Sequence, residues 1–278
     1  MINHILAEEL TTLRHAIQST HPLIHCITNP ISINDCANIV LAVGSRPIMA
    51  EHPEEVAEIT ATAQTLCLNL GSITSDRLKA IKIAAKTAKK NHIPIIIDIV
   101  GAACSTLRNN FLKDFLQTIQ PDIIKGNISE ALSICGNECH SSGVEANKEQ
   151  LITLENAQEY AQLFAKWAQE HRTVLLISGP LDFITDGSSA YLISNGVPMM
   201  GHITGTGCML NALTAAYMPA GRPLAAALLA TLSFGIAGEL AVKLSQGPGT
   251  FHMHLFDAMY NLKDGDIIAK GKITELKK

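Results

Sequence analysis

The strongest chemical signal in the chain is Ile203-Thr204-Gly205-Thr206-Gly207-Cys208, followed at once by a helical pattern. Gly205 and Gly207 allow backbone conformations closed to other residues and let a ligand approach the main chain. The first N–H groups of a helix have no partner inside it. A glycine loop feeding a helix mouth therefore makes an anion site, and phosphate suits it best when no cationic side chain is local. The plainer alternative is a glycine turn that caps a helix. Cys208 falls in the first helical turn, where the dipole favours negative charge and eases formation of a thiolate. It is placed to take a proton from a substrate hydroxyl or to attack an electrophile. An inert buried cysteine is the structural alternative.

Asp98 ends the apolar run Pro94-Ile95-Ile96-Ile97, with Gly101 and Ala102 just beyond. A carboxylate there faces the crevice past the strand's carboxyl end, where open α/β sheets bind ligands. Ile123-Ile124-Lys125 leads similarly into Gly126-Asn127-Ile128-Ser129-Glu130. Asp98 and Glu130 could hold hydrated Mg²⁺ through its waters, and Lys125 could reach a phosphate as a point charge. Ser129 or Asn127 capping a helix, with Glu130 complementing its dipole, is the bland reading of that segment. It leaves an acid at the end of a buried strand unexplained. Ser178-Gly179 follows the run ending at Ile177, and three such strand ends point to one shared crevice. His25-Cys26-Ile27-Thr28-Asn29 ends another run; Asn29 could recognise a neutral polar ligand, and Met49 could supply a soft apolar wall. Cys135, Cys139 and His140 form part of a zinc pattern, but no second ligand pair follows at zinc spacing. His252 and His254 read as structural, and Lys82, Lys86, Lys89 and Lys90 as a solvated helix face.

The elements that must position these residues alternate along the chain. Residues 23–27, 66–70, 94–100, 122–125 and 173–177 are short, uninterrupted apolar runs, the pattern of strands covered on both faces. Amphipathic stretches lie between them, at 33–43, 75–91, 106–119, 129–135 and 154–170. The alternation predicts an α/β fold with a mostly parallel central sheet. Residues 183–185 and 190–193, joined by Asp186-Gly187, read as a hairpin at one edge. Residues 136–150 read as a polar surface loop. With no linker and no internal repeat, residues 1–278 are expected to form one domain. From Gly187 to Gly238 the only charged residue is Arg222. The helices predicted over 208–217 and 224–243 are thus apolar nearly all round and need burial on every side. A neighbouring subunit is expected to supply part of it.

Composition sets the outer limits. The 278 residues are 47% apolar and 17% charged, enough for a sizeable core and opposite to the balance of a disordered chain. Twenty-one basic against twenty-five acidic residues give −4, so no basic field exists to hold nucleic acid or an anionic membrane. Seven scattered cysteines do not read as a secreted disulfide scaffold. The start of the chain lacks the order of a signal peptide. The uncharged run between Arg222 and Glu239 falls short of the about 20 residues of a membrane helix. A soluble protein of a reducing cytoplasm is expected.

Taken together, these segments resemble the hydroxyethylthiazole kinase family of the ribokinase-like group. The likeness lies in Pro22-Leu23-Ile24-His25-Cys26-Ile27-Thr28-Asn29, Ile33-Asn34-Asp35-Cys36-Ala37-Asn38 and Ser45-Arg46-Pro47-Ile48-Met49-Ala50. It continues through Asn69-Leu70-Gly71, Ile124-Lys125-Gly126-Asn127 and the glycine loop to Cys208, in the family's order. The resemblance implies a three-layer ribokinase-like fold and ATP-dependent phosphorylation of the primary alcohol of 4-methyl-5-(2-hydroxyethyl)thiazole in thiamine salvage. It also implies Mg²⁺ and a homotrimer with sites where subunits meet. Carried over by motif, Asn29, Met49 and Gly205 line the thiazole pocket, Lys125 and Ser178 contact ATP, and Asp98 and Glu130 organise the metal. Gly205, Thr206, Gly207 and Cys208 form the anion hole, with Cys208 where related sugar kinases place an aspartate base.

The chain departs from the family at several of these positions. Asp98-Ile99-Val100-Gly101-Ala102-Ala103-Cys104 stands where the family has Asp-Pro-Val-Gly-Ala-Gly-Ala. Lys125 stands for an arginine, keeping the charge but losing the bidentate fork. Ser178 stands for a threonine, and Pro180 for an acidic residue. Weaker ATP binding or turnover is the expected consequence. Competing readings are a kinase for another small alcohol such as hydroxymethylpyrimidine, a thiol enzyme with His202 or His25 as base to Cys208, and a non-catalytic thiazole or nucleotide sensor.

Overall fold

Short branched runs become strands because they pack well on a pleated surface covered on both faces. The computed structural model, which describes residues 3–136 and 151–276, arranges nine of them in one sheet. They are β1 Leu23–Ile27, β2 Arg46–Ile48, β3 Thr65–Asn69, β4 Ile95–Asp98, β5 Ile123–Asn127, β6 Val174–Ser178, β7 Asp182–Thr185, β8 Ala190–Ile193 and β9 Ile273–Leu276. The spatial order is β2-β1-β3-β4-β5-β6-β7-β8-β9. From β2 to β6 the pairs are parallel, and from β6 to β9 they are antiparallel. The sheet is mostly parallel, as expected, and the predicted hairpin exists as β7 and β8. It is not the edge, however: β9 pairs outside β8, and β2 closes the other side.

Alternation of side chains assigns the two layers. Cys26, Cys67, Ile96, Ile123 and Leu176 face one core. Helices α1 His4–Thr20, α2 Ile33–Ala42, α8 Thr206–Tyr217, α9 Pro223–Ala241, α10 Pro248–Asn261 and α11 Asp264–Lys270 cover it. Ile27, Leu68, Ile97, Ile124 and Ile177 face the other. That side is covered by α3 Val56–Thr62, α4 Ser75–Lys90, α5 Thr106–Thr118, α6 Ile128–Ile134 and α7 Ala157–His171. The lysines of α4 point to solvent.

One expectation needs correcting. The apolar helices α8 and α9 are buried by their own chain: α9 packs on α1, α8, α10 and α11 and across β6 and β7. Neighbouring helices of the same layer, together with the sheet, do what a neighbouring subunit was expected to do. The helical run also extends beyond the uncharged segment. Pro223–Leu244 is long and apolar enough to cross a membrane by length and composition, with mean hydropathy 1.8, but 83% of that window lies inside the protein.

Candidate active site

Two-residue periodicity brings the polar strand ends to a common face. Asn69 lies two residues beyond Cys67, Asp98 beyond Ile96, Lys125 beyond Ile123 and Ser178 beyond Leu176, so all four share the α8 side of the sheet. Register then aligns them. Asn69 pairs with Asp98, Asp98 with Lys125, and Asn127 with Ser178 on adjacent strands. The result is a buried polar row. Asn69 Nδ2 lies 3.4 Å from Asp98 Oδ2, and Lys125 Nζ donates to the same oxygen at 2.9 Å.

The mouth of α8 sits on this row. Gly205 is its N-cap in left-handed backbone, φ 87, and a methyl in place of its hydrogen would lie 2.7 Å from Ser32 Cβ. Here glycine is required by both conformation and space. The plain reading, a glycine cap, is thus realised together with the helix mouth. A methyl on Gly207 would lie 3.3 Å from Lys125 Nζ. No cation neighbours this loop in the sequence; in the fold, the lysine from β5 reaches it, in line with the phosphate contact expected of Lys125. Thr206 Oγ1 donates to the Met200 carbonyl at 3.3 Å, closing the loop from the other side.

Cys208 is buried in the first turn of α8, and Asn69 Nδ2 donates to its sulfur at 3.3 Å. The thiolate expected from the helix dipole is not favoured. Burial, then the Asp98 carboxylate, push the thiol above its ordinary range, against the pull of Ser32, Lys125 and Asn69. The dipole acts locally, whereas desolvation is set by everything packed around the sulfur. Neither His25 nor His202 assists it. His25 points to the opposite face of the sheet, with Nδ1 2.9 Å from Thr60 Oγ1 and Nε2 2.8 Å from the Ala50 carbonyl. His202 is exposed on the 3₁₀ turn Pro198–His202.

Asp98, Lys125 and Glu130 share one buried field. Burial raises the Asp98 carboxyl above its usual range, with Lys125 pulling it back. Burial would lower the Lys125 ammonium, but Asp98 and then Glu130 hold it above its ordinary value. Glu130 is pushed up to about 7 by burial and then by Asp98. Its oxygens each accept a backbone N–H, from Gly101 at 2.7 Å and from Asn127 at 2.8 Å, while Asn127 Oδ1 accepts the Glu130 N–H at 2.9 Å. The helix-capping reading of this segment is therefore realised as well. Asp98 Oδ1 is buried without a hydrogen-bond partner among the described residues. Two mutually repelling carboxyls, one with an orphaned oxygen, fit a hydrated cation held through waters, although no cluster of three or more metal-ligating side chains occurs among the described residues.

The remaining candidates flank this centre. On the β1–β3 side, Asn29 lies against Gly71: a methyl there would fall 2.6 Å from Asn29 Nδ2, and the Gly71 N–H donates to Asn69 Oδ1 at 2.7 Å. Met49 is half-buried against the α8-side core. On the β6 side, the Ser178 hydroxyl donates to the Gly126 carbonyl at 3.4 Å. Cys139 and His140 lie outside the described residues, as does nearly all of the expected loop at 136–150.

Sequence reasoning missed three residues of this site. Asn69 links Asp98 to Cys208, Ser32 backs Gly205 and the Cys208 sulfur, and Asp182 begins β7 with Oδ1 accepting the Gly179 N–H at 3.0 Å. Burial pushes Asp182 up to about 7, against Gly179 and Lys125. Asn69 carried a usable signal, since it ends an apolar strand as Asp98 and Lys125 do.

Parallel strand ends meet a glycine-led helix mouth here on a fold that solved ribokinase-like structures share. A ribokinase-like superfamily protein of Enterococcus faecalis V583 shares this fold, with TM-score 0.59 at 13% identity, covering 90% of this chain and 93% of that one. Closer likeness is specific. The profile of the hydroxyethylthiazole kinase family matches residues 14–265. Hydroxyethylthiazole kinase 2 of Clostridium botulinum (strain Hall) is 44% identical over 262 residues, 94% of this chain and 98% of that protein. The structure of a hydroxyethylthiazole kinase protein from Pyrococcus horikoshii OT3 matches with TM-score 0.86 at 30% identity, covering 99% and 100%. The chain belongs to the hydroxyethylthiazole kinase family.

Proposed function

We propose that the chain transfers the γ-phosphoryl group of ATP to the hydroxyl of 4-methyl-5-(2-hydroxyethyl)thiazole, in thiamine salvage. The observation that carries this reading is the buried row Asn69–Asp98–Lys125 beneath the mouth of α8, with Cys208 on its rim. Phosphoryl transfer asks a protein for positioning and charge neutralisation more than for covalent chemistry. The N–H groups at Gly205 to Cys208 and the Lys125 ammonium face the equatorial oxygens as charge develops there. Mg²⁺, held through water by Asp98 and Glu130, would neutralise charge on the phosphate oxygens. Ser178 and Lys125 contact ATP, and Asn29, Met49 and Gly205 receive the thiazole ring. A thiol kept protonated by burial orients the attacking hydroxyl; a loose transition state asks little of a base until late.

The working unit we propose is one domain of residues 1–278 in a cytoplasmic homotrimer with sites between subunits. What supports the assembly is the open edge at β2. Pro47, Ile48 and Met49 are half-buried there beside α2, which exposes Leu41, and Ile31 is exposed just before it. The partners are small molecules, because the −4 chain offers no basic field to nucleic acid or anionic lipid. The test is ADP release with and without the thiazole alcohol, in Mg²⁺ and then in chelator. Alcohol-dependent release that chelator abolishes is expected. Preference for hydroxymethylpyrimidine, or binding of both substrates without ADP, would overturn the assignment.

A further inference from the structure

We infer that Arg77 is a positioning residue for the acceptor alcohol, clamping the loop that carries Met49 to the loop that carries Gly71. The inference rests on the proposed reading that Met49 and Asn29 face that alcohol. Arg77 lies in the first turn of α4, where the Thr74 hydroxyl accepts its N–H at 3.1 Å. Its side chain turns back toward the strand ends and is only 6% exposed. Nε and Nη2 both donate to Glu51 Oε2, at 3.0 and 2.7 Å, and Nη1 donates to the Ser72 carbonyl at 2.7 Å.

Each partner sits beside a residue of the acceptor wall. Glu51 follows Met49 by two residues in the loop from β2 to α3, and Ser72 follows Gly71 in the loop from β3 to α4. Ser72 adopts left-handed backbone, φ 48, a conformation that persists for a side-chain-bearing residue only when its surroundings hold it. Arg77 supplies that hold. On the Met49 side, His25 fixes the Ala50 carbonyl while Arg77 fixes Glu51, so two consecutive residues are tied to different elements. Gly71 in turn lies against Asn29. The guanidinium therefore sets the spacing between the Met49 wall and the Asn29–Gly71 surface. Glu51 is 46% exposed, so this tie does not serve to fill the core. A planar fork serving three acceptor contacts suits arginine, and lysine cannot reproduce it.

The test compares wild type, Arg77→Met and Glu51→Gln, varying the thiazole alcohol and ATP separately, with hydrogen exchange on the substrate-free proteins. Arg77→Met keeps the stem and removes the fork; Glu51→Gln changes a half-exposed group and guards against a variant that fails to fold. The expected result is an alcohol KM raised about tenfold in both, with ATP KM within about twofold, the scale of one charge-assisted hydrogen bond. Residues 49–55 and 70–74 should gain exchange together. Equal rises in both KM values, or a folded variant with unchanged alcohol KM and unchanged exchange, would overturn the clamp. Wild-type turnover of the thiazole alcohol is read in the same assay. Its absence would sink the proposed function, and the exchange measurement alone would then decide the clamp.

Discussion

The two flanks of the α8 mouth are held together by different physics. Toward β1, β2 and β3, backbone carbonyls, amides and one arginine fork fix the loops: His25 on Ala50, Asn69 on Gly71, Arg77 on Glu51 and Ser72. Toward β5, β6 and β7, the buried Glu130 and the half-buried Asp182 stand in the field of Asp98 or Lys125, and desolvation pushes both up to about 7. The first flank has a shape set mainly by hydrogen bonds. The second gathers charged groups where, in the proposed reading, a phosphoryl group is received. In the proposed reading, binding the alcohol and stabilising its reaction fall to separate structures, and substitutions should separate them.

The largest effect is expected at the charged row. Asp98→Asn should lower kcat by about 10³-fold, the upper scale for loss of one preorganised electrostatic group, and leave the alcohol KM within about threefold. A comparable rise in the alcohol KM, read from steady-state kinetics, would erase the distinction between the flanks. Cys208→Ala comes next, with kcat down about 100-fold and alcohol affinity little changed. Near-wild-type turnover there would remove the sulfur from the mechanism and leave the helix mouth intact.

The remaining effect concerns pH and is read in stability, leaving turnover aside. Asp182 binds its proton more tightly in the folded chain than its ordinary value of 3.8 would allow, up to about 7. Its contribution to stability is therefore complete below about pH 4 and is lost as pH rises through about 7. Wild type should lose urea resistance relative to Asp182→Asn across that interval, and the two curves should run parallel above it. Parallel curves throughout would mean that the carboxyl is not held in this way.

The chemistry of the charged flank was more legible in the sequence than its geometry. Asp98 and Lys125 end apolar runs, and Cys208 follows a glycine loop, so each announced itself locally. That Lys125 reaches the helix mouth depends on strand parity and register across β4 and β5, which no local window contains. Asn69 stands in a segment of the family likeness, but its contacts with Asp98 and Cys208 depend on the register of β3 with β4 and on the placing of α8. The Cys208 thiol was misjudged for a related reason: the dipole belongs to its own helix, but desolvation comes from the packed core. On the other flank, Arg77 and Glu51 pair across 26 residues, and neither sits in a motif. The strands β2 and β9 are three and four residues long, with Pro47 inside β2, too little for a periodic signal. The α9 burial was read correctly as a need and wrongly as to its source, since coverage by α1, α8, α10 and α11 is a tertiary fact.

The most direct measurement is diffraction from crystals grown with a non-hydrolysable ATP analogue and the thiazole alcohol. Density for the terminal phosphate against the N–H groups of Gly207 and Cys208, beside Lys125 Nζ and with the alcohol oxygen facing Cys208 Sγ, is the expected result. Nucleotide phosphates bound away from the first turn of α8 would contradict the assignment of that turn as the centre of transfer.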